Sequence, residues 1–161
     1  MRGGALPPAL LCAALGLALA FVRQCAWGPS VVALAVMATA IALAPVPRVW
    51  IEGVFLGCWM SVAASAATVY LPRRLSPPGA FALSLNDGFW SGAVIALTGS
   101  GRDLPKALPC VLILLPAALI VGWRAPIIIK VAANWLIAVA ILAATLQLLR
   151  VTPGYLPDHM D

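Results

Sequence analysis

Asp87 is the residue in this chain best able to do chemistry. With Asn86 it lies deep inside GAFALSLNDGFWSGAVIALTGS, residues 79–100, where the other polar groups are hydroxyls and the Trp90 indole N–H. Lys130 and Asn134 interrupt a second apolar run, and Glu52 a third. A carboxylate held among apolar residues can take up a proton or a cation and release it, and such a residue marks a functional site by default. Other chemistries lack their parts. The single histidine, His159, is in the C-terminal tail, so no imidazole base or ligand is available inside the chain. Cys12, Cys25, Cys58 and Cys110 are scattered without a CxxC pair, which argues against a metal site or a disulfide framework. The serines and cysteines have no partner base, so no enzyme, no catalytic residue and no cofactor is expected.

Composition says what surrounds these groups. Hydrophobic residues make up 63% of the 161 and charged ones only 9%, with a mean hydropathy of +1.04. No soluble domain of this size needs so much apolar sequence, so a lipid bilayer is expected as solvent and partner. The net charge of +5 sits mostly on single arginines at segment ends, as membrane topology requires. Nucleic acid is therefore not an expected partner.

The elements that must position Asp87 are apolar segments at about 6–22, 29–45, 50–71, 79–99, 107–123 and 125–148, followed by a short polar tail, 149–161. The expected fold class is all-α: one membrane domain, a compact bundle of about six transmembrane helices. Arg2 and the run from Leu6 to Val22 resemble the start of a signal peptide, but more membrane sequence follows, and the run reads as a retained first span. Prolines fall at or near most segment ends. Pro109 and Pro116 are exceptions and predict a bent fifth helix. Arg2, Arg48, Arg102, Lys106 and Arg150 fall on one side, and Arg23, Arg73, Arg74 and Arg124 on the other. That small excess favours cytoplasmic termini, with a bacterial inner membrane as the best fit.

An even number of spans fixes relative depth. The fourth and sixth segments start from the same face. At 1.5 Å per residue Asp87 lies about 12 Å in from it and Lys130 about 8 Å. The depths allow an ion pair that Asn86 and Asn134 can join, while Glu52 enters near the opposite mouth. The pair has two readings. One is a proton- or ion-coupled site in which Asp87 titrates against Lys130; the other is a clamp between two helices, each charge neutralised by its partner. If the two do not touch, Lys130 snorkels to the nearby interface instead.

Two further patterns bear on packing. Glu52-Gly53-Val54-Phe55-Leu56-Gly57 and Asp87-Gly88-Phe89-Trp90-Ser91-Gly92 share an acid–Gly–x–x–x–Gly form. This is either the core of an inverted repeat or a chance echo in apolar sequence. Either way Gly53, Gly57, Gly88 and Gly92 are expected at close helix contacts, extended by Ser61, Ala63, Ala64 and Ser65. Trp59, Trp90 and Trp135 fall near the midplane, as packing between helices or as an aromatic constriction beside Asp87.

Over Arg48 to Gly57, RVWIEGVFLG, the chain resembles the Arg–x–x–Gly–x–x–x–Gly turn of the fusaric-acid-resistance-like exporters, which also use six-helix units. About ten residues are covered, with looser spacing, and no functional residue is carried across. The function expected from the residues is that of a small membrane transport protein, a channel or secondary carrier, as a homo-oligomer. The competing expectation is a non-catalytic accessory subunit of a larger membrane complex.

Overall fold

Inside a bilayer no water is present to satisfy peptide groups, so a spanning chain must close its hydrogen bonds within each helix or around a barrel. The protein takes the first course. A computed structural model describes residues 6–71, 75–98, 103–123 and 126–148; it is 90% helical, with no strands among the described residues. The helices are α1 (Leu6–Leu19), α2 (Trp27–Ala42), α3 (Ile51–Ala67), α4 (Pro77–Thr98), α5 (Asp103–Ala107), α6 (Leu114–Gly122) and α7 (Pro126–Leu148). Among the described residues five segments are long and apolar enough to cross a membrane; α1, with 14 residues, is shorter. Most of the charge balance that bears on orientation (Arg2, Arg73, Arg74, Arg102, Arg124 and Arg150), with His159 and the tail, lies outside the described residues.

The short α1 is the centre of the bundle. Leu11, Leu15 and Leu19 are all 0% exposed, and α3, α4, α6 and α7 each pack against α1. A helix buried by protein need not match the bilayer's thickness, which accounts for its length. At its end the Leu19 carbonyl accepts the Val22 backbone N–H at 2.9 Å and also the Trp27 indole N–H at 3.0 Å. The fifth segment is broken as its prolines predict. α5 passes into a 3₁₀ stretch, Leu108–Ile113, and only then into α6. Pro109 and Pro116 each remove a backbone donor there.

Two contacts fix the helices that matter most. A Cβ on Gly88 would lie 2.7 Å from the Leu34 carbonyl oxygen and 2.9 Å from Met37 Cβ, and one on Gly92 would lie 2.8 Å from Ile41 Cβ. The two glycines therefore let α2 and α4 touch backbone to backbone, and because residue numbers rise together along both, the helices are parallel. On the other side α3 packs against both α4 and α7. Helix α7 offers α3 a narrow stripe of buried residues, Ile129, Ala133, Leu136, Ala140 and Ala144. The Tyr70 hydroxyl donates to the Lys130 carbonyl at 2.7 Å, joining the far end of α3 to the start of α7.

Candidate functional site

The site is built by α3 and α4. Ser61 and Ser65, four residues apart, share one face of α3, and Asp87 points at that face from α4. Asp87 has 0% of its surface exposed. The Ser61 hydroxyl donates to its Oδ1 at 2.7 Å, and the Ser65 hydroxyl to Oδ2 at 2.8 Å and Oδ1 at 3.0 Å. Asn86 adds its amide N–H, 3.2 Å from Oδ1, and donates to Ser61 Oγ as well. The amide's own oxygen accepts the Trp90 indole N–H at 3.2 Å. Trp90 in turn occupies the space a side chain at Gly57 would need, its ring atom Cζ2 falling 2.7 Å from a Cβ there. Phe89 packs edge-on against the Trp90 ring, with centroids 5.1 Å apart.

Asp87 is thus held by neutral donors, and among the described residues it makes no ion pair. The expected pairing with Lys130 is not formed. Lys130 and Asn134 both lie exposed on the outer side of α7. The depth estimate was compatible with a pair, but rotation decided otherwise. Ile129 and Ala133 turn inward to meet α3, which carries the residues beside them outward. Of the five candidates for a polar pathway, the structure brings together only Asp87 and Asn86. Glu52 is exposed in the first turn of α3, nine residues or about 14 Å along the helix from Ser61.

The packing candidates divide similarly. Gly57, Gly88 and Gly92 are each pressed against a neighbour, whereas nothing lies within 4 Å of where a Cβ on Gly53 would be. Trp59 is buried, Trp90 belongs to the cluster, and Trp135 faces outward, 59% exposed. The three tryptophans therefore do not form one constriction. Ser61 and Ser65 were expected as small residues for close packing, and Ser61 also as a partner for a midplane indole, but neither as a partner of Asp87; their i, i+4 spacing was the available sign of a polar face.

No family model, curated protein or solved structure matches the chain. What the site can do must come from its atoms. Among the described residues no three His, Cys, Asp or Glu side chains are grouped so as to hold a metal ion. The cluster offers two carboxyl oxygens and two hydroxyls, each of which can either donate or accept. Such a set can exchange its internal hydrogen bonds for a proton or a small monovalent cation. Ser91, one turn beyond Asp87 on α4, has a buried hydroxyl with no hydrogen-bond partner, a further polar atom inside the bundle.

Proposed function

We propose that the protein is a small, non-enzymatic membrane transport protein, a channel or secondary carrier. In this reading Asp87 is the group that binds the transported or coupling cation, and Ser61, Ser65 and Asn86 shape its site. One observation carries the reading: a fully buried carboxyl group inside a transmembrane helix has only neutral partners. A structural clamp would use a neutralising cation, or an amide in place of the acid, because an uncompensated charge in hydrocarbon costs several kcal/mol. Keeping an acid there makes sense where something must be bound and released. The proposal includes a bacterial inner membrane and cytoplasmic termini, on the arginine balance between the two sides.

The accessory-subunit reading has its own support. Asp87 has no exposed surface. An open depression of about 540 Å³ between α2 and α4 is apolar, lined by residues such as Met37, Phe81 and Leu85. Flux separates the two readings. Purified protein in proteoliposomes is given an inward proton gradient with valinomycin and potassium, internal pH being read by trapped pyranine, and a parallel set takes up ²²Na⁺. Transport through Asp87 predicts flux of one ion at wild type and at least a tenfold loss in Asp87→Asn that still elutes as folded protein. Equal flux in both, or none in either, removes Asp87 as a transport site.

A further inference from the structure

We propose that the outer face of α7 is a self-association surface, on which a second copy of the chain packs about a two-fold axis along the membrane normal, with Asn134 hydrogen-bonded to its own counterpart. The starting point is how the chain treats its other polar side chains inside the spans. Exposed hydroxyls fold back onto their own helices: Thr39 donates to the Ala35 carbonyl at 2.7 Å, and Thr145 to that of Ile141 at 2.9 Å. Asn86 spends both its amide hydrogens and its oxygen within the Asp87 cluster. Asn134 does neither. Its side chain is exposed and makes no hydrogen bond, and it sits eight residues, or about 12 Å, inside α7, well within the hydrocarbon. A polar group left unpaired there is unfavourable, and in membranes such groups are satisfied across helix interfaces.

The chemistry of an amide selects the partner. Asn carries donor and acceptor together, so the same residue at the same depth on a second copy satisfies both, as an isologous interface requires. The charge nearest Asn134 on this face among the described residues is Lys130, and it need not be met by a carboxylate on the partner. Lys130, one turn nearer the surface, has a stem long enough to carry its ammonium to the headgroups. Ala138, one turn further in and also exposed, leaves room for a second helix to come close, and Val131 and Trp135 flank the line with apolar surface. The parallel arrangement is favoured because an antiparallel one would place the two amides at different depths.

The test is single-molecule photobleaching of labelled protein in liposomes over a range of protein-to-lipid ratios. Wild type is expected to be dimeric, Asn134→Leu to dissociate at least tenfold more readily, and Asn134→Gln to restore association. Cross-linking keeps the proposal testable should the leucine variant misfold. In a Cys25→Ser, Cys110→Ser background that keeps Asn134, Ala138→Cys, exposed on the same line, is expected to form a disulfide-linked dimer and Ala140→Cys, buried against α3, is not. A monomeric wild type, a dimer indifferent to Asn134→Leu, or absence of the Ala138→Cys cross-link overturns the proposal. So does stoichiometric purification with a different membrane protein and no self-association.

Discussion

Replacing Gly88 with alanine tests the packing argument most directly, because the added group is one methyl and its surroundings are known. The new Cβ would sit 2.7 Å from the Leu34 oxygen and 2.9 Å from Met37 Cβ, where ordinary contact begins near 3.4 Å. Helix α2 would have to retreat by about 0.7 Å, and overpacking of that kind costs about 1–3 kcal/mol. The obstacle is backbone, and Leu34 and Ala38 are both 0% exposed, so no flexible side chain can swing aside. Gly53→Ala is the matched control: it has the same gain in helix propensity, about 0.5–1 kcal/mol, and no neighbour within 4 Å. The difference between the two variants therefore isolates the steric contribution, roughly 5- to 150-fold in the unfolding constant. Thermal unfolding in micelles with a thiol-reactive dye reads it, since Cys12 and Cys58 are buried and become reactive only on opening. Cys25, already exposed, and Cys110, partly exposed, give the baseline. If Gly88→Ala and Gly53→Ala unfold at the same midpoint, α2 and α4 are not in backbone contact at this level.

The same unfolding assay checks the site. Ser65→Ala removes both of its hydrogen bonds to the buried carboxyl and is expected to cost about 1–3 kcal/mol, whereas Lys130→Met, at an exposed position, should stay within about 0.5 kcal/mol of wild type; the reverse order would restore the ion pair. Trp90→Phe loses the indole bond to Asn86 and some cover over Gly57, for about 0.5–1.5 kcal/mol, while Trp135→Phe should leave the fold's stability unchanged. Equal losses in the two tryptophan variants would show that the Trp90 bond does not contribute.

Different parts of the structure were legible to different degrees, for physical reasons. The all-helical class follows from composition alone, since little else can occupy a bilayer. Asp87 stood out because a carboxylate is rare in such sequence, and Gly88 with Gly92 because their spacing is that of a close helix contact. The partner of Asp87 was harder. Depth can be counted along a helix, and the count placed Lys130 at a suitable level. Rotation about the helix axis is read from an alternation of polar and apolar faces, and α7 has almost none: Ile129 and Ala133 face α3, yet Ile127, Val131 and Ile141 on the outer side are no less apolar. In lipid both sides of a helix are expected to be hydrophobic, so the signal that orients helices in water is missing. Ser61 and Ser65 were readable as small residues, but nothing in their type told hydrogen-bonding from close packing.

The packing and the polar site are not independent features of α4. Gly88 follows Asp87 directly, and successive residues on a helix are about 100° apart, so the helix presents the carboxyl toward α3 and the glycine toward α2. Contact through Gly88 and Gly92 leaves α4 almost no freedom to roll or slide against α2. That restriction is what keeps both Asp87 oxygens within 2.7–3.0 Å of the Ser61 and Ser65 hydroxyls, distances that a shift of half an ångström would spoil. The two glycines thus act as the fixed side of a vice, and the serines as the jaw that meets the acid. A variant that wedges α2 away from α4 should therefore loosen the polar cluster as well. Combining Gly88→Ala with Ser65→Ala should then cost less than the two single changes added together, because the hydrogen bonds removed by the second have already been weakened by the first. Strict additivity would mean that α2 and α3 hold α4 separately, and that Asp87 is aimed by α3 alone.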